Sequence, residues 1–160
     1  MAPFSARVAT DTTRTVAFGN VGEVMVIAWA NQPVDDATYL AYLKSHIAFL
    51  ETSEPIGALL TVSPSFSPSL RQRGMMKDVE AGLRMEGIRS VAMVSDSTIA
   101  RGAVQALGWM FPRKRAIRAF PLAELSAAAT WLVAQGARST TISILALAEQ
   151  LRGMLVDRRA

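Results

Sequence analysis

Side chains able to do chemistry are sparse in this chain, and the densest set is Ser67-Pro68-Ser69-Leu70-Arg71-Gln72-Arg73. Two hydroxyls stand ahead of Arg71 and Arg73 at a predicted helix start. A phosphoryl group on Ser67 or Ser69 would meet unpaired backbone N–H groups and guanidinium charge there. The same serines also suit plain N-capping, either Ser67 with Pro68 at the first helical position or Ser69 with Gln72 as a capping box. A second set is the segment from Gly108 to Arg115, where Trp109 and Phe111 adjoin Arg113, Lys114 and Arg115. Such a mixture docks an acidic partner, stacks on single-stranded bases or rests at a lipid interface. The competing reading tucks the aromatic rings under the sheet edge and leaves the cations solvated. Nucleic acid is not expected as a partner, because the basic residues are otherwise dispersed.

Catalytic constellations are missing. His46 is the sole histidine and cysteine is absent, so a hydrolytic triad, a thiolate nucleophile and a zinc site all lack their parts. Asp96, Ser97 and Arg118 form the only polar set expected to converge at strand ends, and it contains no acid–base pair. Neither a Walker-type loop nor G-x-G-x-x-G follows any predicted strand. No catalytic residue, cofactor or metal is therefore assigned, and an enzyme is not expected. The eight methionines and the tryptophans suggest an adaptable apolar pocket lined by Trp29, Met76, Met93 and Trp131, or ordinary core filling.

The elements that must position these residues follow from length and patterning. A chain of 160 residues, 51% hydrophobic and 19% charged, fits one domain with a substantial core. The apolar surplus suggests a self-association face or a pocket. No signal-like leader and no transmembrane run is present, and the cysteine-free composition fits a cytoplasmic protein. Charge is uneven. Residues 1–66 hold three basic and six acidic side chains, and residues 67–160 hold fourteen and seven, giving −3 against +7. The basic half would attract acidic partners.

Two strands, Arg7 to Phe18 and Glu23 to Trp29, are expected to pair across Gly19-Asn20-Val21-Gly22. Asp35 or Asp36 starts a helix striped by Leu40, Leu43, Ile47 and Leu50. Ile56 to Val62 reads as a buried strand, followed by the Ser/Pro-rich loop and a helix with Met76, Val79 and Leu83 toward the core, ending near Gly87. Val91 to Val94 is a strand of the parallel type, followed by a helix capped near Asp96 to Thr98. Ala116 to Phe120 and then Leu122 to Gln135 close the pattern as strand and helix. Thr140 to Arg159 carries Ile144, Leu147, Ala148, Leu151 and Leu155 on one face, an additional C-terminal amphipathic helix. The expected architecture is thus α/β: a single mixed sheet of about five strands, a hairpin followed by repeated α-β units, covered by helices. The expected organisation is a domain over residues 1–137 with the amphipathic helix at 138–160.

This element order resembles the STAS fold. Val91 to Asp96, then Ile117-Arg118-Ala119-Phe120-Pro121-Leu122, then Leu125, Ala128, Trp131 and Leu132 resemble the ending of the SpoIIAA-like branch of STAS proteins. The resemblance implies a mixed sheet with helices on one main side. It implies a non-catalytic regulatory or protein-interaction module and, in some relatives, a small apolar ligand or lipid between sheet and helices; the expected partner is a protein or a second copy of the chain as a homodimer. In anti-sigma-factor antagonists the regulated Ser or Thr opens the helix after the third strand, usually behind an Asp. Here that junction offers Ser63, Ser65, Ser67 and Ser69 without an Asp, whereas Asp96-Ser97 follows the fourth predicted strand.

Overall fold

A computed structural model describes residues 8–10, 14–30, 34–52, 58–62, 69–82, 88–110 and 115–155. Six strands pair in chain order: β1 (Val8–Thr10), β2 (Val16–Val21), β3 (Val24–Trp29), β4 (Ala58–Val62), β5 (Ser90–Val94) and β6 (Ala116–Phe120). β1, β2 and β3 run antiparallel, and β3 through β6 run parallel. The parallel strands are joined by α1 (Asp36–Thr52), α2 (Leu70–Gly82) and α3 (Thr98–Met110). After β6 come a short 3-10 turn (Leu122–Glu124), α4 (Leu125–Ala134) and α5 (Thr141–Met154). The α/β class is as expected, and the described residues form six strands where about five were expected.

The extra strand arises because the segment read as one strand from Arg7 to Phe18 is broken. Arg14 adopts φ 56°, a left-handed conformation that an extended strand cannot hold, and the chain reverses between β1 and β2. The hairpin turn also moves. Gly19 and Asn20 lie within β2, and Val21 pairs with Val24, so the loop is only Gly22 and Glu23. Gly22 takes φ 56°, which suits the first position of a two-residue hairpin loop.

Every residue of β3 is buried, as expected for a strand covered on both sides. Its side chains alternate between two cores. Val24, Val26 and Ala28 join Ala92, Val94 and Phe120 beneath α4 and α5, together with Leu132, Ile144, Leu147 and Leu151. Met25, Ile27 and Trp29 join Val16 and Phe18 against Tyr39, Tyr42 and Leu43 of α1, with Met75 and Met76 of α2 packed alongside. Helices therefore cover both faces, which corrects the expectation of one main side. The reason is that α4 and α5 each carry an apolar stripe, and the sheet's second face is the apolar surface available to it.

The inward stripe of α1 also differs from the expected one. Tyr39, Tyr42 and Leu43 are buried, while Leu40 is exposed. Tyr39 and Tyr42 meet Trp29 at ring-centroid distances of 5.9 and 4.5 Å, and Phe18 meets Tyr42 edge-on at 6.1 Å. These rings bury more area than a leucine stripe would, so they set the rotation of the helix. Burial pushes the Tyr42 hydroxyl well above its usual pKa. The segment from residue 138, read as an appended helix, contributes α5 to the same core as α4, with Ile144, Leu147, Ala148 and Leu151 buried.

Candidate functional site: the starts of helices α2 and α3

β4 and β5 are adjacent and parallel, and α2 and α3 each follow the C-terminal end of one of these strands in the chain. That end of an open parallel sheet is where loops and helix starts gather. At α2 the capping-box reading holds. The Gln72 N–H donates to Ser69 Oγ at 3.1 Å, and the Ser69 N–H donates to Gln72 Oε1 at 3.2 Å. Gln72 has a second task. Its side-chain amide donates to the Val34 carbonyl at 2.8 Å and to Asp36 Oδ1 at 3.2 Å, so the start of α2 is tied to the start of α1. Only 5% of Gln72 is exposed, which makes this tie a buried one.

Arg71 pairs with Asp36 at 3.4 Å across the same junction, but it is 77% exposed, so the pair contributes little energy and leaves the guanidinium open to another partner. Asp35 caps α1. The Thr38 N–H and hydroxyl donate to its two carboxylate oxygens at 2.8 and 3.0 Å, and these bonds hold its pKa below the ordinary carboxylate value. Arg73 is exposed, and its backbone N–H donates to the Ser69 carbonyl at 2.9 Å.

At α3 the cap is Ser97, whose Oγ accepts from the Ala100 N–H at 3.2 Å. Ser95 is fully buried and its Oγ accepts from the Ser97 N–H, while Arg101 donates to the Ser95 carbonyl at 2.6 Å. Asp96 turns the other way and accepts from the Leu122 N–H at 3.2 Å, which anchors the exit from β6. Arg118 lies over the Phe120 ring at 5.0 Å. Asp96, Ser97 and Arg118 thus have three separate structural tasks, and they do not converge on one reacting centre.

Two residues that the sequence reading passed over dominate the surface here. Leu70 is 81% exposed and Ile99 is 85% exposed, each in the first turn of its helix. A large apolar side chain within two residues of a capping residue was the available signal, and among the described residues little covers either one. Leu70 stands beside the exposed Arg71 and Arg73 on α2, a mixed apolar and basic surface suited to protein contact.

Other expected groupings separate. Trp29 and Met76 belong to the core under α1 and α2, Trp131 packs against the opposite core under α4 and α5, and Met93 is half-buried on β5. The sheet lies between Trp29 and Trp131, so the expected four-residue pocket is corrected: these side chains do not line one cavity. Ser67, Phe111, Arg113 and Lys114 lie outside the described residues, as do the side chains of Trp109 and His46; Arg115 is half-buried. Among the described residues no three His, Asp or Glu side chains gather as a metal-binding group, and no helix is long and apolar enough to cross a membrane.

A mixed sheet with a hairpin leading into α-β repeats is the architecture of a STAS-type domain. The chain belongs to the SpoIIAA-like family, whose model matches residues 24–133. It is accordingly a non-catalytic regulatory or protein-interaction module. No curated protein and no solved structure gives a significant match.

Proposed function

We propose that the module recognises a protein partner through the starts of α2 and α3, with Leu70 and Ile99 as the apolar anchors and Ser69, Arg71 and Arg73 as polar contacts on α2. The observation that carries this reading is the near-complete exposure of Leu70 and Ile99, each in the first turn of its helix. Exposed large apolar side chains mark contact surfaces, and arginine is enriched in protein interfaces. A second copy of the chain is one candidate partner. Phosphorylation of Ser69 would add charge beside Arg71 and Arg73, yet it would compete with the bond that Ser69 Oγ accepts from Gln72, so modification would loosen the α2 start and weaken recognition.

The test places a photo-crosslinking amino acid at position 70 of the full chain in its native cell. Position 142 serves as control, because Ile142 is 80% exposed at the start of α5, outside this surface. A protein adduct at 70 but not at 142 supports the reading, and the adduct's mass tells a foreign partner from a second copy. Equal yields at both positions, or none at 70, would remove it.

A further inference from the structure

The sheet ends at β6, and the main-chain direction of that strand can be read from two bonds. The Ala116 N–H donates to the Arg89 carbonyl at 2.9 Å, and the Phe120 carbonyl accepts from the Ser95 N–H at 3.0 Å. Residues 116 and 120, with 118 between them, therefore address β5. Alternate residues address opposite sides of a strand, so the N–H and C=O groups of Ile117 and Ala119 point to the outer edge. Among the described residues nothing pairs with that edge, and β6 is only partly covered: Ala116, Ile117 and Ala119 are half-buried where β5 alternates with fully buried positions. Arg118 is exposed and stacked on Phe120, and among the described residues no carboxylate forms an ion pair with it.

We propose that the β6 edge accepts an extended acidic peptide segment as an added strand. Its backbone would pair with Ile117 and Ala119, and a Glu or Asp on it would face Arg118. The charge pattern selects this occupant over a second copy. In the antiparallel self-pairing centred on β6, Ile117 meets Ala119 of the copy and Arg118 stands directly opposite Arg118, a like-charge contact at the closest cross-strand separation. A cation on an edge strand guards against that pairing, and the same cation favours a carboxylate-bearing strand. The net +7 of residues 67–160 acts in the same direction. This surface is independent of the starts of α2 and α3.

The probe is a short, labelled peptide of alternating valine and glutamate, compared with the same peptide carrying lysine for glutamate. Fluorescence anisotropy on the full chain is expected to give at least about tenfold tighter binding of the glutamate peptide. Arg118→Glu and Ala119→Pro should each reduce that binding about tenfold or more, the second because it removes an outward N–H at a position where an edge strand tolerates proline. Leu70→Glu should leave it unchanged. Amide exchange at Ile117 and Ala119 should slow when the glutamate peptide is added, a readout that does not depend on any variant folding. Equal affinity for both peptides, or exchange at these two amides that the peptide does not alter, would overturn the proposal. Protection of both amides without peptide in a dimer would overturn it in favour of self-pairing.

Discussion

A side chain at Gly22 would run into the backbone of Arg138: a Cβ built there falls on the Arg138 carbonyl oxygen. The hairpin turn and the α4–α5 connection meet at this point. The Glu23 N–H donates to the Arg138 carbonyl at 3.3 Å, the Arg138 N–H donates to Glu23 Oε2 at 3.1 Å, and the Arg138 Nε lies 3.6 Å from Glu23 Oε1. Farther along, Arg14 donates from Nε to the Met154 carbonyl at 3.1 Å, near the C-terminal end of α5. Residues on both sides of the family-matched span, 24–133, are thus fastened to each other, and α5 is held over β2 and β3.

Gly22→Ala is expected to destabilise the protein more than Gly136→Ala, although both glycines have positive φ. Each change incurs a left-handed backbone penalty of about 1–2 kcal/mol. Only Gly22 adds a collision, since a Cβ at Gly136 meets nothing within 4 Å. Urea unfolding of the two variants would check this, and equal midpoints would contradict it.

Ser69→Ala should cost about 1 kcal/mol through loss of the α2 cap. Gln72→Ala should cost more, about 1–3 kcal/mol, because it removes the cap's reciprocal bond and leaves the Val34 carbonyl without its side-chain donor. The two losses overlap at the capping box, so the double variant should fall short of their sum in chemical denaturation.

Trp29→Ala is expected to destabilise by about 3–5 kcal/mol, since the indole fills the space between Tyr39 and Tyr42 and is 4% exposed. Thermal melts would read the loss. A change below about 1 kcal/mol would mean that the aromatic cluster does not set the position of α1.

Leu151→Ala should cost about 2–5 kcal/mol if α5 is part of the same cooperative core, because Leu151 is fully buried among α4 and sheet residues. Unfolding followed by Trp fluorescence and by circular dichroism should remain a single transition shifted to lower denaturant. A separate early transition for α5 would argue instead for a detachable C-terminal element.

Acid stability should depend on Asp35. Its folded-state pKa is lowered by the bonds from Thr38, so the unfolded chain binds the proton more readily. The stabilisation is present above the unfolded value of about 4 and is lost as pH falls from there through the lower folded-state value. Asp35→Asn, which keeps a capping oxygen but does not titrate, should flatten that part of the stability–pH curve. An unchanged curve would show that other carboxylates govern it.

The local signals in the chain were sound where the structure depends on near neighbours. The apolar runs at Val24 to Trp29 and Val91 to Val94 became sheet strands, Ser69 with Gln72 became the cap of α2, and the spacing of Ile144, Leu147, Ala148 and Leu151 became the buried face of α5. Periodicity and capping act over three or four residues, so composition and spacing settle them. What surrounds an element is decided by distant chain. The Leu40 stripe yielded to Tyr39 and Tyr42 because Trp29 and Phe18 lay opposite, Gln72 found a carbonyl 38 residues away, and Gly22 was required by a loop more than a hundred residues later. Trp29 and Trp131 were divided between two cores by a sheet whose second cover could not be read from spacing alone. Leu70 and Ile99 have the same hydrophobicity as any core residue. Only the tertiary arrangement left them uncovered, because burial depends on the surface that arrives from elsewhere and not on the side chain itself.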